Sequence, residues 1–314
     1  MVQPSHAQQG RGSQADRRHG SGDVLSESVR EFIRLGRFRP AASYQRFAYV
    51  CAGLLVASGL FHLGVFFVDG GPWEGPVSWR KPVVFGLSFG ITLATVSWFM
   101  SFLRPRKSVG WLVIGTFAVA SLAEVFLVSM QKWRGVASHF NEDTAFDGIV
   151  FSAMGSLVTV LVLLTVFITV RSFLALDAPV ALAWAIRTGL VLMLVSQAVG
   201  VQMITEGGNT FGAAGALKVP HAVTLHAIQV LPALALLSMA AGFSERHGLR
   251  MVALGATGYG CVIAGTMVQT YSGRGPLDVG LITSAFGVLG LGLLAASALV
   301  SLVGLRSAHV AARA

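Results

Sequence analysis

The sequence predicts an all-α, polytopic transmembrane helix bundle of about eight spans with both termini cytoplasmic, and three observations carry that reading. The chain is 54% hydrophobic and only 12% charged, where a soluble domain carries about a quarter charged residues. Its apolar residues gather into eight runs of roughly 20, each long enough to cross a ~30 Å hydrocarbon layer as a helix. The short alternating strands of a membrane β-barrel are missing.

In chain order, residues 1–22 hold Gln, Ser, Gly, His and Arg with nothing to bury, which predicts a disordered cytoplasmic tail. No short apolar region with a cleavage site follows the early charges, so it does not read as a signal peptide. Residues 23–46 read as an amphipathic juxtamembrane segment. Leu25, Val29, Phe32 and Ile33 recur at helical spacing among Arg30, Arg34, Arg37 and Arg39. That pattern suits a helix on an anionic leaflet and equally a solvated basic linker. The transmembrane domain is expected over 47–303, with spans at 47–68, 83–103, 109–131, 147–170, 183–204, 221–242, 251–271 and 281–303. Residues 304–314 read as a second cytoplasmic tail.

Of the 23 Lys and Arg residues, only Arg80, Lys81, Lys132, Arg134, Lys218 and Arg274 fall on one side of these spans. The other 17 fall on the opposite side. The positive-inside rule then puts both termini in the cytoplasm, in a multi-pass protein of the cell membrane. It also accounts for the net charge of +9 without a nucleic-acid partner; the partner the charges imply is the lipid bilayer. Cys51 and Cys261 both lie within apolar runs, so they form neither a disulfide framework nor a CxxC metal site.

Polar residues inside spans are costly and usually face a bundle interior or a wet cavity. Here His62, Glu124, Gln131, Gln197, Gln202, His221, His226, Gln229, Gln269 and Tyr271 all fall in outer halves. This predicts a polar cavity opening outward. At ~1.5 Å per residue, His62, Glu124 and His226 lie roughly 7–11 Å below the outer boundary, and they are expected to converge. In span 6, His221 and His226 differ by about 140° around the helix, with Gln229 between them, so they are poorly placed to chelate one ion together. No HExxH pattern is present. Pro232 removes a backbone donor in mid-helix and predicts either a kink or a freed carbonyl that must be satisfied internally.

Several chemistries remain open for these residues. His226 can be a haem or transition-metal ligand, a proton carrier, or a hydrogen-bonded core histidine, and His62 is its candidate partner as a second axial haem ligand. Glu124, the only acid deep in a span, can act as general acid or base, as a proton relay, or as the ion partner of Arg134 or His226. Glu124, His226 and Gln229 are the candidate catalytic set. His139, near Asn141, Glu142 and Asp143, and His221 are candidate metal ligands, although Thr144 and Asp147 in the same stretch also fit a helix-start cap. Arg80, Arg134, Asn141 and Gln197 are candidates for binding substrate. Arg80 and Lys81 after Trp79 can hold an anionic head group or anchor the interface. The glycine-rich stretch from Gly207 carries no phosphate motif and reads as a flexible connector.

QKWRGVASHFN, followed by Thr144 and Asp147, with HAVTLHAIQVLP later, resembles a family of bacterial multi-spanning membrane proteins with no assigned reaction. The motifs are RGxxSHFN and HxxxLHxxQxLP, and the likeness covers about residues 75–235. It implies that His139, Asn141, Asp147, His221, His226 and Gln229 belong to the family pattern. The outline is also similar to that of haem A synthases, but their loop motif around a Glu and a His is missing. Three functions stand open. One is a haem- or metal-dependent membrane enzyme or redox protein acting on a lipophilic small molecule. The second is a proton-coupled transporter or sensor. The third is a structural or assembly subunit without a cofactor.

Overall fold

A computed structural model describes residues 42–311. The tail 1–22 and nearly all of the segment 23–46 lie outside the described residues. Over the described residues the protein is an all-α polytopic bundle of eight helices, each long and apolar enough to cross a membrane. They are α1 (Ser43–Asp69), α2 (Arg80–Leu103), α3 (Lys107–Trp133), α4 (Ala145–Ala175), α5 (Val180–Thr205), α6 (Lys218–Ala240), α7 (Glu245–Tyr271) and α8 (Leu281–Ala311). An even number of crossings leaves four connections, 70–79, 134–144, 206–217 and 272–280, on one face, here called the loop face. Tighter turns fill the other. Most boundaries lie a few residues from expectation, with α4 ending at Ala175 and α7 starting at Glu245. Helix α1 starts within the predicted juxtamembrane segment, and α8 runs on into the predicted tail.

Local chemistry explains the ends. Thr144 is extended, and its hydroxyl oxygen accepts the Asp147 backbone N–H at 3.1 Å, starting α4. Ser244 caps α7 in the same way through the His247 N–H. Helix α2 stops where Arg104 turns left-handed (φ 42°) and Pro105 follows.

Lipid offers no hydrophobic drive between helices, so close packing must supply the association. Small residues do so here. A Cβ on Gly86 of α2 would lie 2.7 Å from the Gly59 nitrogen of α1. One on Gly258 of α7 would lie 2.7 Å from the Gly290 carbonyl oxygen of α8, and one on Gly189 of α5 would lie 2.9 Å from the Ile228 Cα of α6. Phe99, Phe117, Leu182, Ile186, Leu190 and Ile228 fill the interior. In its most apolar stretch α2 is 61% buried and α8 only 17%, which makes α2 the central helix and α8 a peripheral one. Exposed Phe67, Val288 and Leu281 are the lipid-facing side chains such a bundle needs.

Helix α6 is not one continuous rod. It consists of Lys218–Leu225 and Ala227–Ala240, broken at His226 (φ −80°, ψ 3°), while Pro232 sits inside the second piece. The break lies six residues before the proline, which sits within a continuous helical stretch. The Tyr259 hydroxyl of α7 donates to the Val223 carbonyl at 2.5 Å, the acceptor that Ala227 would use in a regular helix. Thr224 also donates back to the Pro220 carbonyl at 2.6 Å, a contact that bends helices. The connector after Gly207 also differs from expectation. It forms a small antiparallel hairpin, β1 (Thr210–Phe211) with β2 (Gly215–Ala216). The Ala214 N–H ties it to the Gly273 carbonyl at 3.0 Å.

Candidate functional site: a polar chain along the central helix

Residues four and three apart share a helix face, and Lys81, Phe85, Ser88 and Thr92 form such a stripe on α2. Near the loop face it meets residues 138–139, and deeper it meets α6. The Lys81 ammonium donates to Ser138 Oγ at 3.4 Å, and Ser138 Oγ lies 2.9 Å from His139 Nδ1. The Ser138 hydroxyl, already accepting from a cation, therefore donates to Nδ1, which leaves the proton on Nε2. His139 Nε2 points at Glu124 Oε1, 3.8 Å away. Phe85 packs beside the imidazole, ring centres 5.4 Å apart.

Glu124 is fully buried in α3, and neither carboxyl oxygen has a hydrogen-bond partner among the described residues. Buried polar groups are nearly always paired, so a carboxyl standing open in the core is unusual. Burial first, then the nearby Lys81 charge, pushes His139 down to about 4. At neutral pH the imidazole is uncharged, and 3.8 Å exceeds hydrogen-bond length, so the approach to Glu124 is neither an ion pair nor a made bond. His139 keeps 23% of its side chain exposed while Glu124 keeps none. The histidine thus stands between solvent and the acid.

The connection carrying His139 is pinned at both ends. Gln131 and Arg134 donate to Asp147 Oδ1 at 2.9 and 2.6 Å, and Thr144 donates to Oδ2 at 2.6 Å. Arg134 also donates to Gln131. Asn141 ties the middle, donating to the Ala137 carbonyl at 2.9 Å and accepting the Asp143 N–H at 3.1 Å. Gly135 (φ 74°) and Phe140 (φ 55°) turn the chain left-handed on either side of Ser138 and His139. A left-handed phenylalanine is uncommon and marks a conformation held by its surroundings.

Two turns further in, His226 at the α6 break meets the same α2 stripe. Its Nε2 lies 3.3 Å from Ser88 Oγ, and its Nδ1 lies 3.1 Å from Gln229 Oε1. The Gln229 amide in turn reaches Thr92 Oγ1 at 3.5 Å.

The residues singled out in the sequence therefore divide into neighbourhoods. Among the described residues, Glu124 meets His139 and hydrogen-bonds neither His62 nor His226. Arg134 pairs with Asp147, and Asn141 shapes the connection. His62 Nδ1 donates to the Ser58 carbonyl at 2.8 Å, while its Nε2 accepts from Trp133 at 3.1 Å. His221 Nδ1 donates to the Ser196 carbonyl at 2.9 Å. Gln197 is half-buried beside Ser196. Glu74 joins Arg80 at 3.4 Å and Lys218 at 2.9 Å, linking the starts of α2 and α6. The Lys218 hydrogen bond, with help from Arg80, holds the Glu74 carboxyl below its usual range.

The haem or metal reading fits this arrangement poorly. Both ring nitrogens of His62 and of His226 are engaged with protein groups. No three His, Cys, Asp or Glu residues converge as a metal site among the described residues. Sequence reasoning gave Lys81 only a head-group or anchoring role rather than this one, and it missed Ser138, Ser88 and Thr92. The spacing along α2 was the available signal for Lys81, Ser88 and Thr92. Against known proteins, the chain matches no family model, no curated protein and no solved structure.

Proposed function

We propose that this protein is a proton-coupled transporter of the bacterial cytoplasmic membrane, with Glu124 as its proton-binding group. The carrying observation is the chain Lys81–Ser138–His139 leading from partial exposure to a fully buried carboxyl without a hydrogen-bond partner. The Lys81 ammonium can pass a proton to Ser138 as the hydroxyl gives its own proton to His139 Nδ1, and the neutral amine is then reprotonated from the aqueous side. His139 then releases its Nε2 proton to Glu124 and returns to the neutral state that its surroundings favour. The basic-residue asymmetry puts the loop face outside, so protons enter from the outer side.

Interrupted membrane helices often mark substrate sites in transporters. The α6 break puts His226 and Gln229 against α2, where their bonds to Ser88 and Thr92 would have to be exchanged for bonds to a small, largely apolar cargo. Because α2 carries both contacts, displacement of α2 on protonation would reach the cargo position. Vesicles containing the protein and an internal pH dye, challenged with a panel of lipophilic anions, cations and neutral solutes, test this. Solute-dependent proton movement in the native protein, lost in E124Q, supports the reading. A haem absorbance band or stoichiometric transition metal in the purified protein, with solute-independent behaviour identical in E124Q, overturns it in favour of the redox alternative.

A further inference from the structure

On the face opposite the loops, a cleft of about 320 Å³ opens between the ends of α2, α3 and α4. Met100, Leu103, Phe167 and Ile168 supply an apolar wall, and Arg106 and Arg171 line the same cleft. Neighbouring Arg104 is engaged by Asp177 at 3.0 Å. The guanidinium groups of Arg106 and Arg171, by contrast, have no ion pair or hydrogen bond among the described residues. Phe167 is 40% exposed, so the apolar wall runs out towards the lipid-facing surface of α4.

We propose that this cleft binds an anionic phospholipid, its phosphate on Arg106 and Arg171 and the start of an acyl chain against Met100, Leu103, Phe167 and Ile168. Charge selects this occupant. Two unpaired guanidiniums offer fork-shaped donors that match phosphate oxygens. The apolar wall beside them asks for a tail that free phosphate does not have. The chain's own 1–41 segment carries more arginine than acid, so its charge opposes entry there. This face carries most of the basic residues, and the cytoplasmic leaflet it implies is the one with negative surface potential. The inference is independent of the role given to Glu124.

The test uses the purified full chain in detergent, with binding read by native mass spectrometry and by melting temperature. Dioleoyl phosphatidylglycerol should bind and raise the melting temperature, and dioleoyl phosphatidylcholine should not. R106Q/R171Q should bind phosphatidylglycerol on the order of 30-fold more weakly, while R104Q should bind it as the native chain does. Equal response to the two lipids on the native protein overturns the proposal, and that comparison requires no variant to fold. An equal shift from inorganic phosphate overturns the lipid assignment. Unchanged phosphatidylglycerol affinity in a folded R106Q/R171Q overturns the site.

Discussion

At the scale of single residues, Glu124 and Asp147 contrast sharply. Both are buried acids on neighbouring helices, but Asp147 is held by three side chains and Glu124 by none. Asp147→Asn should remove the charge that Arg134 answers and lower the midpoint of a denaturation series, while an unchanged midpoint would show that the ion pair contributes nothing. Glu124→Gln breaks no hydrogen bond and should change stability by less than about 1 kcal/mol while abolishing coupled proton movement. A large loss of stability in E124Q would instead mark a structural group. His139 adds a pH dependence. Its pKa falls from 6.5 to about 4 on folding, so the unfolded chain binds more protons between those values. The stability it contributes is complete above pH 6.5 and is lost as pH falls towards 4. Melting curves of H139F should fall less across that window than those of the native protein, and parallel curves would refute the assignment.

At the scale of elements, the informative differences are in α6 and α2. The eight spans were legible because apolar length reports directly on membrane crossing. Thr144 and Asp147 were legible as a cap because that chemistry is local. The α6 break was not legible, since the group that captures the Val223 carbonyl, Tyr259, is 36 residues away. Pro232, six residues beyond the break, does not point to it. The partner of Glu124 was equally hidden. Depth alone grouped it with His62 and His226, but depth says nothing about which way each helix is turned, and His139 comes from a connection that no periodicity describes. Tyr259→Phe should return the Val223 carbonyl to the helix ladder. Slower hydrogen exchange at the Ala227 amide would show it, and unchanged exchange would mean that another contact makes the break. At the α1–α2 contact, Gly86→Val should prevent close approach and lower the melting temperature markedly, because the added carbons meet Gly59 backbone rather than a flexible side chain.

At the scale of the whole molecule, the two faces carry different chemistry. The loop face holds the Glu74 linkage and the His139 connection. The opposite face holds the tight turns and most of the basic residues among those described. Impermeant thiol labels should reach cysteines placed at Glu142 and Leu277 in intact cells but not one at Ser108; the reverse pattern would invert the orientation. The central claim is that protons reach Glu124 by way of His139. Difference infrared spectroscopy across a pH jump reads this directly. The native protein should show a carboxyl C=O band that titrates, is absent in E124Q and appears more slowly in H139F. A band that persists in E124Q, or that forms at the native rate without His139, would contradict the claim.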